Sequence, residues 1–200
     1  MRQPGSAPGP VMLPGCLSAN APPRLLLSGG LALRPWDLTD APELVRAYDD
    51  PDIHRWHCRS LSLTDAESWV SHERQRWQQD LGSSWAITRN DSLCGRVGIG
   101  GVHLDEGRAG VTYWVLPGAR GQGVATLALG AVVEWAFGTA GFHRLELDHS
   151  TLNAASCRVA MKAGFAVEGT KRAQALHLDG WHDMHAHAML ADDPRSPRLR

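Results

Sequence analysis

No apolar run in this chain approaches the ~20 residues that a membrane helix needs, so no membrane partner is expected. The early residues carry a single basic side chain, Arg2, and no sustained apolar stretch follows it, so a secretory leader is not expected either. Leu13-Pro-Gly-Cys16 has the outline of a lipoprotein cleavage site but lacks the apolar segment that must precede one. Excess charge is also missing: the formal net charge is -1, and no basic stripe marks a nucleic-acid footprint. Any anionic ligand must therefore be held by local geometry. The four cysteines (Cys16, Cys58, Cys94 and Cys157) form no C-x-x-C pair, which argues against zinc and disulfide frameworks. Free thiols in a reducing cytoplasm are the expectation.

Internal repeats are absent, and 200 residues suit one domain with trimmings. Residues 1–28, rich in Pro, Gly, Ser and Ala through Pro23, read as a disordered tail, residues 29–190 as the folded domain, and residues 191–200 as a second loose tail. Within the domain, strand signals fall at 31–34, 85–88, 95–103, 111–115, 144–149, 173–177 and 182–189. Helical signals run from Thr39 or Asp40 to Tyr48, from a Thr64/Glu67 capping box to Gln79, from the region of Val124 to Gly138 or Gly141, and from Asn153 to Ala163. Asn90-Asp91 and Asp179-Gly180 mark tight turns. The order β-α-α-β-β-β-α-β-α-β-β predicts an α/β (α+β) domain with a mixed sheet and covering helices.

The segment between Leu116 and Thr126 carries the chemistry. A strand leads into Arg120, Gly121, Gln122, Gly123, Val124 and Ala125, and an amphipathic helix follows. The first turn of a helix offers backbone N–H groups without intrahelical partners, and the helix dipole adds partial positive charge. Glycines let a bulky anion approach that backbone, so the segment reads as a diphosphate cradle, with Arg120 as a fixed charge at its rim. No Gly-Lys-Ser/Thr follows, which excludes a Walker loop, and the Rossmann pattern Gly-x-Gly-x-x-Gly is absent. The plainer alternative is a glycine-rich turn serving packing only.

Arg120-x-x-Gly123-x-Ala125 after a strand resembles the acetyl-CoA signature of the GCN5-related N-acetyltransferases (GNAT), and the run from Arg144 to Phe165 is similar to the second conserved block of that family. The second block and the ending Asp179 to Met184 resemble most closely the RimJ/RimL type, which acetylates ribosomal-protein N-termini. The resemblance implies a GNAT fold: a mixed, mostly antiparallel, splayed sheet with helices on both faces. Acetyl-CoA would be the co-substrate, its pantetheine lying beside Val111 to Val115 and its diphosphate facing the N–H groups of Gln122 to Ala125. Val115 and Leu116 would present backbone groups to the thioester. The resemblance also implies that Asn153 contacts the cofactor arm and that Ser156 is a general acid for the departing thiolate. The residues themselves allow a second reading, in which Asn153 is a helix N-cap and Ser156 merely sits in the first turn.

The general base is open among Glu146, His149 and Glu168, with Glu146 the first catalytic candidate. An α-amine, with pKa ~7.7–8.0, needs less help from a base than a lysine at ~10.4. His182, His185 and His187 cluster in the last strand, and the last two share a face. No carboxylate or cysteine supports them at ligand spacing, so no metal is expected. The Asp52–Trp56 segment reads as an acceptor-side loop. Most of the tryptophans Trp36, Trp56, Trp69, Trp77 and Trp85 read as core. The reading is an acyltransferase that passes acetyl from acetyl-CoA to a primary amine, on a protein N-terminus or a small molecule, by direct attack in a ternary complex. The alternative is a non-catalytic acyl-CoA-binding module, because fold and cofactor do not fix activity. A homodimer is compatible with the sequence.

Overall fold

A computed structural model describes residues 9–194. Eight strands form one sheet: β1 (Leu25–Leu26), β2 (Leu31–Pro35), β3 (Ser83–Arg89), β4 (Ser92–His103), β5 (Arg108–Val115), β6 (Arg144–Ser150), β7 (Ala166–His177) and β8 (Gly180–Leu190). Their order is β1-β2-β3-β4-β5-β6-β8-β7. Five helices accompany them: α1 (Ala41–Tyr48), α2 (Pro51–His57), α3 (Leu63–Gln78), α4 (Val124–Trp135) and α5 (Ala154–Lys162). Among the described residues every strand pair is antiparallel except β5–β6.

Strand alternation builds a core on each face. Trp85 and Ile87 of β3 join Val124, Leu129 and Val132 of α4 in one cluster. Ala86, between them in sequence, joins Leu44 of α1 and Val70 of α3 in the other. Trp36, Trp77 and Trp85 are buried, as expected of core tryptophans. The glycines of β4 serve close packing and a bulge. A Cβ on Gly98 would stand 2.5 Å from that of Ser84, and the register with β5 shifts between Gly100 and His103.

Several local expectations shift. The capping box of α3 is Ser62 with Asp65, two residues before the Thr64/Glu67 pair, since both pairs satisfy the same pattern. Asp40 precedes α1 but its side chain does not cap it, because the carboxylate is paired with Arg34 at 2.7 Å and accepts the Asp37 N–H at 2.9 Å. The Asp52–Trp56 segment is not a loop; it lies in α2, which Asp50 caps through the Ile53 N–H at 3.0 Å and Cys58 stops in the left-handed region. Strand β7 begins seven residues earlier than Ala173, its register broken by two irregularities that blur the period-two signal.

The expected loose segment through residue 28 is ordered from Gly9 onward. Met12 and Leu17 are buried in the main core, and the N–H groups of Gly15, Leu17 and Ser18 converge on the Asp80 carboxylate. The indoles of Trp77 and Trp85 donate to the Asn20 and Pro23 carbonyls. A proline-rich strap can pack irregularly when side chains from the domain satisfy its backbone. Residues 1–8 and 195–200 lie outside the described residues, so those parts of the two expected tails are untouched.

Asp80 itself has a positive φ of 56°. Burial pushes its pKa up, but the N–H groups of Ser18, Gly15 and Leu17 outweigh this and hold it below the ordinary carboxylate value. Its stabilisation is therefore present above that value and lost as pH falls through the depressed pKa. Asp80→Ala should cost about 3 kcal/mol at neutral pH, from three charge-assisted bonds and a strained alanine. Urea unfolding checks the figure, and the difference should shrink below about pH 4.

Candidate active site

The site begins where two strands part. β5 and β6 pair in parallel at Arg108↔Arg144, Ala109↔Leu145 and Gly110↔Glu146, and no further. Beyond that point β5 stays on β4 up to Gly95↔Val115, and β6 stays on β8 up to Ser150↔Met184. A wedge therefore opens between Val111–Val115 and Leu147–Ser150. The Leu116 N–H donates to the Cys94 carbonyl at 2.8 Å, which removes it from the expected thioester contact. The same alternation turns the Val115 N–H away from β4 and toward the wedge.

At the mouth of the wedge lies a cavity of about 630 Å³. Its walls include Val115, Arg120, Gly121, Gly123, Val124 and Ala125 on one side, and Asn153 and Ser156 on the other. Gly123 is the N-cap of α4, with a φ of 75° and no side chain capping the helix. Gly121 has the same φ, and the space beside both glycines, where a Cβ would stand, is open to 4 Å. An uncapped helix start behind two bare glycines is a fitting cradle for a diphosphate. Gln122 is not in the wall. Its side chain accepts from Arg89 and donates to the Gly118 carbonyl, which ties the loop down. Arg120 lines the cavity, but its guanidinium is held by Asp50 at 2.6 Å and Asp52 at 2.7 Å, and its Nε donates to the Val115 carbonyl. It fastens the start of α2 to the loop.

The sequence reading missed two cations in the same wall. Arg158 and Lys162 stand four residues apart on α5 and face the cavity. The i, i+4 spacing of two basic residues after Asn153 was the available signal.

Asn153 and Ser156 do come together at the start of α5. The Ser156 N–H donates to Asn153 Oδ1 at 3.0 Å, so the capping role is realised, and the asparagine amide N–H groups remain for a ligand. The Ser156 hydroxyl meets Tyr113 Oη at 2.8 Å. Burial pushes the Tyr113 pKa up to about 12, against the lowering effect of the Ser156 bond, so the phenol keeps its proton. Nothing in the sequence marks Tyr113, since a tyrosine in a half-buried strand is ordinary.

Two of the three candidate bases are placed elsewhere. Glu146 sits where the strands are still joined, bonded to Arg144 at 2.8 Å and 3.8 Å from Arg108, and it lines none of the cavities described here. Glu168 forms a two-pronged pair with Arg144 on the outer strand β7. The third, His149, does line the narrow wedge with Tyr113 and Ser156, but its ring is buried against His187, with 3.0 Å between their Nε2 atoms. His57, at the end of α2, borders that wedge as well, together with the cofactor-side cavity and a third cavity of about 720 Å³. Burial pushes its pKa down to about 4, and the Arg96 charge adds to the effect, so the imidazole is neutral near pH 7.

That third cavity carries Arg59, Arg76, Arg96 and Glu73 in its wall. Arg76 pairs with Glu73 at 3.1 Å, and Glu73 also accepts from Ser84 at 2.6 Å. Arg59 and Arg96 have no carboxylate partner among the described residues. Burial lowers the Arg96 pKa, yet an arginine stays charged. Its guanidinium lies 5.3 Å from the Trp69 ring centroid, and its Nε has no hydrogen bond.

Gly123→Ala would place a methyl in the cradle and force alanine into the left-handed region, at about 1–2 kcal/mol. Calorimetric titration with coenzyme A should show the dissociation constant rising about tenfold or more. An unchanged constant would mean the helix start does not hold the diphosphate.

The geometry has counterparts among known proteins. The family model described as "Acetyltransferase (GNAT) domain" matches residues 31–166. The chain is 27% identical over 160 residues to YoaA of Bacillus subtilis strain 168, described as an N-acetyltransferase, covering 78% of this chain and 90% of that protein. RimL, the ribosomal L7/L12 alpha-N-protein acetyltransferase solved with coenzyme A, superposes with a TM-score of 0.78 at 20% identity, over 84% of this chain and 98% of RimL. The microcin C7 self-immunity acetyltransferase MccE, solved with acetyl-CoA and AMP, superposes at 0.74 with 17% identity, over 80% and 92% of the two chains. Parted strands, bare glycine cradle and matched domain agree: the chain belongs to the GNAT family of acetyltransferases and is an acyltransferase.

Proposed function

We propose that this enzyme acetylates the α-amine of an acceptor that also carries a negative charge, such as a peptide or an amino acid. The observation that carries this reading is a pair of arginines, Arg59 and Arg96, with no carboxylate partner among the described residues, in a cavity that meets the cofactor side at His57. Guanidinium groups recognise carboxylates by paired hydrogen bonds. The relative named for acetylating a ribosomal-protein α-amine supports a protein N-terminus as one such acceptor.

Acetyl-CoA supplies the activated acetyl group. The α4 N-terminus, Asn153, Arg158 and Lys162 hold its polar arm. The Val115 N–H polarises the thioester carbonyl, which favours the tetrahedral intermediate. Neutral His57 accepts the proton that the attacking nitrogen must lose. Ser156 donates a hydrogen bond to the sulfur as it departs, with Tyr113, kept protonated, beside that hydroxyl, and the released thiolate takes its proton from water. Because thiols titrate near ~8.5, the thiolate is already a fair leaving group, and this donor contributes modestly. The position of Glu146 in an arginine cluster speaks against a direct catalytic role for it.

Thiol release should be followed over acceptors matched for the amine: free amino acids, their amides, peptides with acidic or neutral second residues, and polyamines. Acidic acceptors should lead their neutral counterparts by about tenfold in kcat/KM, and Arg96→Gln should remove that lead. Coenzyme A binding with no thiol release on any amine would favour a non-catalytic module.

The pH profile follows from the shifted groups. kcat/KM should rise with a slope of one toward the amine pKa, near ~8 for an α-amine, with no second inflection between about pH 5 and pH 7. An inflection near ~6.5 would show that His57 titrates as an ordinary imidazole. Tyr113→Phe and Ser156→Ala should each lower kcat about tenfold and leave coenzyme A affinity nearly unchanged.

A further inference from the structure

We propose that His149, Cys157, His185 and His187 form a closed structural site for a zinc ion. One ligand atom from each of the four lies within 4.8 Å of every other. Three chain segments bring them together. In the β6–β8 pairing His149 stands opposite His185, and Leu147 opposite His187, so the three histidines share one face of the sheet. Cys157, in the first turns of α5, completes the group from above. The histidine-rich strand alone lacked a thiol; the fold supplies it.

The chemistry suits zinc. Three imidazoles and a thiolate make a tetrahedral set with no open position, the mark of a structural site. In such a site, with bonds of about 2.0–2.3 Å, ligand atoms stand roughly 3.3–3.7 Å apart. The His149 and His187 Nε2 atoms are already 3.0 Å apart, so the wider separations need close by about 1 Å only. His149 lies with Nδ1 2.8 Å from the Ser150 carbonyl, a bond that orients a ligating histidine with Nε2 toward the metal. A second observation points the same way: Nδ1 of His185 is buried without any hydrogen bond. A purely structural histidine cluster leaves that atom unsatisfied at a cost, whereas a metal ligand uses such a lone pair. The ion would bolt α5 to the sheet one residue from Ser156.

The full chain, without an affinity tag that binds metals, is loaded with zinc, desalted and assayed by elemental analysis. One zinc per chain is expected. Cobalt in its place should give a thiolate-to-metal charge-transfer band, and Cys157→Ser should abolish the band and weaken affinity on the order of 100-fold. Alkylation of the unaltered protein, mapped by mass spectrometry, guards against a variant that misfolds. Zinc should protect Cys157, and a chelator should restore its reactivity. Substoichiometric zinc, a cobalt spectrum without the band, or protection of Cys58 beside His177 in place of Cys157 would each overturn the proposal.

Discussion

Everything at this site depends on two strands that stop pairing. β5 and β6 share three residue pairs, then each follows its other neighbour. Backbone groups along the parted edges would be costly to leave dry and unpaired. A ligand that carries its own amides can complete both edges, which is why a wedge in a sheet makes an extended polar slot. The Gly110↔Glu146 pair marks the apex, and the Tyr113–Ser156 bond spans the opening from β5 to α5. The serine therefore reaches the wedge without sitting on either strand.

The division of charge follows from that geometry. With a net charge of -1, the chain has no global field to gather anions. Its cations act locally instead, Arg158 and Lys162 at the cofactor end and Arg59 and Arg96 at the other. Arg120 shows why type and position are not enough. Its motif marks it as a charge at the rim of a diphosphate cradle, but Asp50 and Asp52 at the start of α2 reach it first.

The cradle was legible because glycine at a helix start has few other uses, and Gly121, Gly123 and Ala125 stand in one unbroken segment. Asn153 and Ser156 stood out only through the family resemblance, because as residues they also read as an ordinary helix cap. Residues assembled from distant segments were not legible. Tyr113, His57 and Arg96 come from two strands and a seven-residue helix, and none sits in a local pattern that differs from packing. Glu146 was a fair candidate by type, but its partners Arg108 and Arg144 come from adjacent strands and occupy its carboxylate. The N-terminal strap misled by composition. Proline and glycine suggest disorder, and only the Asp80 carboxylate and the tryptophan indoles, far along the chain, show where its backbone is satisfied.

Between the two charged ends the reacting centre is held neutral. Burial keeps a proton on Tyr113 and keeps one off His57. The same low polarity disfavours an ammonium ion, so an amine entering this centre is pressed toward its reactive, unprotonated form. The cost falls least on an α-amine, whose proton leaves near neutral pH, and most on a lysine side chain. Arginines at the far end add repulsion to any ammonium and attraction to any carboxylate. On the proposed function, one arrangement of charge would thus select both the protonation state of the nucleophile and the company it keeps.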